Sequence, residues 1–151
     1  MDEEQTEHMD GLVVSGCHRC PDLVDSRSRI VNGTGPTDVD VLFVGEAPGA
    51  QEDAEGEPFV GRSGSVLDEQ LRNVGLDRES VRITNCVRCR PPENRDPTAT
   101  ERENCRGYLE AEIELVDPDV IVTLGKVPSE HLLDRSVAVT NEAGHVERIE
   151  L

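Results

Sequence analysis

Three short β-branched apolar runs, each followed by a turn and then helical spacing, restrict this chain to one class of architecture. The runs are residues 39–44, 81–85 and 120–124. Each is too short for a helix and is bounded by turn residues, so each reads as a buried strand. After the first, glycines at 45, 49, 56, 61 and 64 predict a long loop. A helix then starts near Ser63 or Ser65, carries Leu67, Leu71 and Val74 on one stripe, and closes at Gly75. After the second run, three prolines within residues 90–97 exclude a helix there. Thr98 and Glu101 have capping-box spacing, Cys105, Leu109, Ile113 and Val116 form a stripe, and Asp117-Pro118 ends that helix. A short helix follows Gly125 and reaches Leu133; the tail is weakly patterned, with 146–151 a strand candidate. Strands alternating with helices give an α/β fold with a mostly parallel sheet. In such sheets ligands bind beyond the carboxyl ends of the strands, which singles out the stretches after Gly45, Asn85 and Gly125.

The chain has 151 residues, enough for one α/β domain, expected over residues 11–151 behind a flexible acidic arm of residues 1–10. Phe43, Phe59 and Tyr108 are its only aromatics, so the core must be aliphatic and a phenylalanine in a loop stands out. The net charge is −17, and Lys126 is the single lysine among 15 basic residues. That composition points to a halophilic surface; a binder of basic partners is the competing reading, and regular apolar runs argue against disorder. Arg82, Arg88, Arg90, Arg95, Arg102 and Arg106 cluster, which predicts a local basic face on an acidic body, against a solvated face of mixed charge. No stretch has the length of a membrane span and no signal peptide is visible, so a cytoplasmic protein without membrane contact is expected. Its five cysteines then read as metal ligands or free thiols.

Cys17 and Cys20 form one two-residue-spaced pair, Cys86 and Cys89 another, and Cys105 follows. Two such pairs are a strong metal signal. Cys17, Cys20, Cys86 and Cys89 would make a zinc ribbon-like site; Cys17, Cys20, Cys89 and Cys105 would make a four-thiolate iron–sulfur site. Cys86 directly follows a strand and can equally be a small core residue.

Gly45-Glu46-Ala47-Pro48-Gly49 turns sharply out of the first strand, where backbone N–H groups can face a ligand. It lacks the Gly-Lys-Ser/Thr ending of a nucleotide loop. Phe59 can stack on a flat ligand or cap the core. Asn85 ends the second strand, and its carboxamide offers the donor and acceptor needed to read the O4 and N3–H edge of uracil; capping a turn is the commoner use.

Three blocks together resemble the family 4 uracil-DNA glycosylases: Gly45-Glu46-Ala47-Pro48-Gly49 with Glu52-Asp53, Gly56-Glu57-Pro58-Phe59-Val60-Gly61-Arg62-Ser63-Gly64, and Thr84-Asn85 running into Arg88-Cys89-Arg90-Pro91-Pro92-Glu93-Asn94-Arg95-Asp96-Pro97. The resemblance spans about residues 14–135 and implies a three-layer α/β/α uracil-DNA glycosylase-like domain. It implies that Cys17, Cys20, Cys89 and Cys105 hold a structural [4Fe–4S] cluster, with Cys86 a spare. Phe59 would stack on a flipped uracil, Asn85 would read its edge, and backbone groups of Glu46 and Ala47 would face its oxygen. Glu52 would fill the space that thymine's methyl group needs. Arg90 and Arg95 would meet the DNA. Glu46, Ala47 and Asn85 are thus the candidate catalytic positions, and uracil-containing DNA is the candidate partner. The family continues past Leu151 into a further strand, a helix and a His-Pro motif. The expectation is therefore a C-terminally truncated domain of haloarchaeal type, with its third strand left at an edge and the missing motif absent or supplied by a second polypeptide. Two other functions compete: a catalytically impaired iron–sulfur module binding DNA or a partner, and a zinc-binding structural protein.

Overall fold

The computed structural model describes residues 8–10 and 12–148. Strands β1 (His8–Asp10) and β2 (Val13–Gly16) form an antiparallel hairpin, followed by helix α1 (Pro21–Ser26). Next come β3 (Val41–Gly45), α2 (Ala50–Glu55), α3 (Arg62–Asn73), β4 (Arg82–Asn85), a 3-10 turn at Pro92–Asn94, α4 (Ala99–Val116), β5 (Val120–Thr123), α5 (Lys126–Leu133) and α6 (Val139–Glu142). Strands β3, β4 and β5 form a parallel sheet in the order β4-β3-β5.

The side chains of β3 alternate between two cores, as the period of a strand requires. Leu42 and Val44 pack with Leu109 and Ile113 of α4 and Leu132 of α5. Phe43 faces the other way, against Leu67 and Leu71 of α3 and Val81 and Ile83 beside it. Helices therefore cover both faces, which is the expected three-layer α/β/α arrangement. Helix α4 begins as its sequence predicts: the Thr98 side chain accepts from the Glu101 N–H, and Glu101 accepts from the Thr98 N–H.

Three stretches differ in part from expectation. The glycine-rich stretch is not one open loop, because α2 interrupts it. Its six residues lack an apolar stripe and are fixed by carboxylates instead: Asp53 is buried and accepts from the Ser28 and Arg29 N–H groups. The last three residues of the expected acidic arm form β1, and residues 1–7 lie outside the described residues. Of the strand candidate at 146–151, residues 146–148 carry no regular structure and 149–151 lie outside the described residues.

Arg82, on β4, donates to Glu112 Oε2 at 2.7 Å, and Arg88, just after that strand, donates to Glu112 Oε1 at 2.7 Å. All three are buried, Glu112 completely. Arg88 also reaches the Leu12 carbonyl and Asn32 Oδ1, so one charged node joins the hairpin, the sheet and α4.

Candidate functional site

Parallel register places Gly45 directly beside Asn85, so the loops leaving β3 and β4 rise from one level. A Cβ at Gly45 would overlap both the Phe59 ring and Asn85 Oδ1. Glycine there lets ring and carboxamide meet over the strand end. Asn85 is 4% exposed, and its Oδ1 has no hydrogen-bond partner among the described residues. Leaving such an atom unpaired costs about 1–3 kcal/mol, so it marks a place that a ligand donor would complete. The Phe59 ring is partly buried against the core formed by Phe43, Leu67 and Leu71, so it borders that core as well as the end of β3.

Glu52 ties the start of α2 to the turn that follows Phe59. One carboxylate oxygen accepts from the Gly49 N–H at 2.9 Å, the other from the Val60 and Gly61 N–H groups at 3.0 and 2.9 Å. Burial acts to raise its pKa, but these backbone donors outweigh it and leave the carboxyl below its ordinary value. Glu46 runs the other way. Burial, then the charge of and hydrogen bond to Asp96, raise its pKa against the opposing pull of Arg102. Glu46 therefore turns its carboxyl toward the loop after β4, while its carbonyl accepts from the Val87 N–H. The Ala47 N–H donates to no protein acceptor among the described residues.

The expected basic face is mostly neutralised. Arg82 and Arg88 are buried on Glu112, Arg95 donates to both oxygens of Glu101, and Arg106 pairs with Glu110. Arg90 donates to the neutral Asn94 side chain and Arg102 to the Pro97 carbonyl, and neither makes a direct ion pair among the described residues, although Arg102 acts on Glu46 through its charge. The linear cluster concealed this because the neutralising carboxylates come mainly from α4.

Cys17, Cys20, Cys89 and Cys105 line one pocket between α1, the loop after β4 and α4. Cys86 does not: it is fully buried in the core beside Leu42, Val44 and Leu109. The zinc ribbon-like grouping that includes Cys86 is thus not assembled, because alternation along β4 and the residue after it turns that thiol into the sheet's core. Burial raises the pKa of Cys20 and Cys89, and pushes Cys105 to about 12. A bound positive centre would have to displace these protons. No three Cys, His, Asp or Glu side chains among the described residues converge on one ion-sized point. Four thiols lining one pocket are a donor set suited to a soft metal centre, whether zinc or iron–sulfur. Two residues that the sequence did not flag serve the thiols: Arg27 donates to Cys89 Sγ at 3.2 Å and to the Cys17 carbonyl at 2.8 Å, and Asn104 donates to Cys20 Sγ at 3.5 Å. No spacing rule could have singled them out.

Among the described residues, no helix is long and apolar enough to cross a membrane. A family model described as the uracil DNA glycosylase superfamily matches residues 32–149. A type-4 uracil-DNA glycosylase of Archaeoglobus fulgidus is 45% identical over 130 residues, covering 85% of this chain and 65% of that protein. One from Thermotoga maritima is 46% identical over 133 residues, covering 87% and 69%. One from Sulfurisphaera tokodaii is 42% identical over 123 residues, covering 81% and 56%. The chain thus spans between 56% and 69% of the length of these relatives.

Proposed function

The chain belongs to the uracil DNA glycosylase superfamily, beside its type-4 members, and from that premise we propose that it excises uracil from DNA in the cytoplasm by hydrolysing the N-glycosidic bond of deoxyuridine. The observation that carries the proposal is the buried Asn85 Oδ1, without a hydrogen-bond partner among the described residues and close to the Phe59 ring over Gly45. A carboxamide oxygen there accepts from uracil N3–H while its amide donates to O4; cytosine offers the opposite polarity. Phe59 stacks on the extruded base, whose flipping costs a few kcal/mol. As the bond breaks, negative charge develops on the uracil ring, and the Glu46 and Ala47 backbone groups are the donors suited to its oxygen. One such preorganised donor contributes about 3 kcal/mol. Glu52 excludes thymine through the loop wall that it ties in place. Arg90 and Arg95 approach the DNA backbone, Arg90 as the less compensated of the two.

Cys17, Cys20, Cys89 and Cys105 are the residues that would hold a [4Fe–4S] cluster, which supplies a rigid anchor between the amino-terminal segment and the loop after β4. Arg27 and Asn104 orient the sulfurs of Cys89 and Cys20, and Arg27 also offsets negative charge there.

The test is uracil excision from a labelled single-stranded oligonucleotide in high KCl by anaerobically purified, iron-loaded protein. Formation of abasic sites supports the reading; no product from folded, iron-bearing protein overturns it for this chain alone.

A second reading has the pocket completed by a further polypeptide. It rests on the outer edge of β5, where Val120 is 50% exposed beside an open cleft bordered by α4 and α5. Excision that appears only on adding such a partner would select it.

A further inference from the structure

Phe59 has a φ of 55°, a left-handed conformation that an aromatic residue rarely adopts. Such a residue persists only where its surroundings over-determine it. Gly64, in the first turn of α3, lies so close beneath the Phe59 carbonyl that any Cβ there would overlap it. Both carbonyls flanking the strained residue turn toward one guanidinium. Arg78 Nη1 donates to the Pro58 carbonyl at 3.0 Å, and Nη2 donates to the Phe59 carbonyl. Its Nε donates to Asp68 Oδ1 on α3 at 2.6 Å. On the far side, Glu52 receives the N–H groups of the next two residues, Val60 and Gly61. Phe59 is thus gripped by its carbonyls from one side, while the residues after it are gripped by their N–H groups from the other.

We infer that Arg78 is a positioning residue for the Phe59 ring, holding it over Gly45 against the Asn85 carboxamide. The inference rests on the glycosylase reading for its catalytic consequence, but not for its structural one. The guanidinium spreads its donors over three nitrogens, one to each acceptor; a lysine ammonium has a single nitrogen, which can keep the Asp68 pair and lose the fork. Released from Arg78, Phe59 can return to negative φ, and its ring then leaves the strand end.

The chain contains no tryptophan, so Phe59→Trp gives a single fluorescent reporter at the ring position. In that background Arg78→Met is expected to red-shift the emission and raise acrylamide quenching while far-ultraviolet dichroism stays unchanged. Arg78→Lys, the variant to use should Arg78→Met fail to fold, is expected to shift it partway. Unchanged emission in either folded variant would overturn the inference, whatever the activity. With Phe59 in place, Arg78→Met should lower single-turnover uracil excision by roughly 100-fold, the scale of a misplaced reacting group. Added to Phe59→Ala it should cost no more than about 3-fold, because residues that act through one another are not additive. Full additivity would mean that Arg78 acts elsewhere. Wild-type protein that excises nothing would sink the glycosylase reading, while the emission shift would still decide the role of Arg78.

Discussion

In the proposed function, base recognition falls to the side chain of Asn85. Its Oδ1 is buried, lacks a partner among the described residues and lies beside an aromatic ring, a combination that a structural turn-capping asparagine would not need. Asn85→Asp should therefore shift preference from uracil toward cytosine, measured as the ratio of excision rates on matched oligonucleotides. An unchanged ratio would remove the edge-reading role. The thiols divide as sharply. Cys89 lines the thiol pocket, whereas Cys86 is core, its pKa pushed by burial to about 12. Cys89→Ala should lose iron and near-400 nm absorption, and Cys86→Ala should keep both; iron analysis of the two variants settles which frame is correct.

Helix α4 links the loop after β4 to the core, and its amino-terminal turn is held by charge. The Arg95 hydrogen bond, acting against burial and helped by the Thr98 N–H, lowers the Glu101 pKa below its ordinary 4.5. A carboxyl lowered in the fold stabilises it fully above about pH 4.5 and loses that contribution as pH falls through the lowered value. Glu52 behaves in the same sense, and Glu46, raised in the fold, in the opposite one. Acid titration followed by dichroism should show stability falling below about pH 4.5, with a smaller fall in Glu101→Gln. Thr98→Ala, which removes the cap hydroxyl, should cost about 1 kcal/mol in denaturant unfolding. An acid limb identical in wild type and Glu101→Gln would show that the capping charge is not what acid removes.

At the scale of the whole molecule, the net charge of −17 governs how the protein responds to salt. Self-repulsion at that charge destabilises the compact state, and screening shortens from about 10 Å at 0.1 M salt to about 3 Å at 1 M. Thermal unfolding in a KCl series should give a midpoint that rises through the molar range; a flat midpoint would contradict a surface built for high salt. Arg82, Arg88, Arg95 and Arg106 are paired with carboxylates of α4. Three parallel strands, the stripe of α3 and the cap of α4 were legible in the chain because they depend on neighbours within a few residues. The four-thiol frame was legible from the family resemblance, while spacing alone left zinc and iron–sulfur sites open. Helices α1 and α2 were not legible, being short and fixed by distant groups, as Asp53 fixes the chain at Ser28. Nor could the chain disclose that Glu112 gathers Arg82 and Arg88 or that Arg78 grips the Phe59 turn, and it offered the core as only one of two places for Cys86. Those facts depend on which face of the sheet each side chain meets after β3, β4 and β5 have paired in register. Periodicity and capping act over one or two turns and are written locally; a buried charge or an orphaned oxygen acquires its meaning only from partners that packing brings across tens of residues.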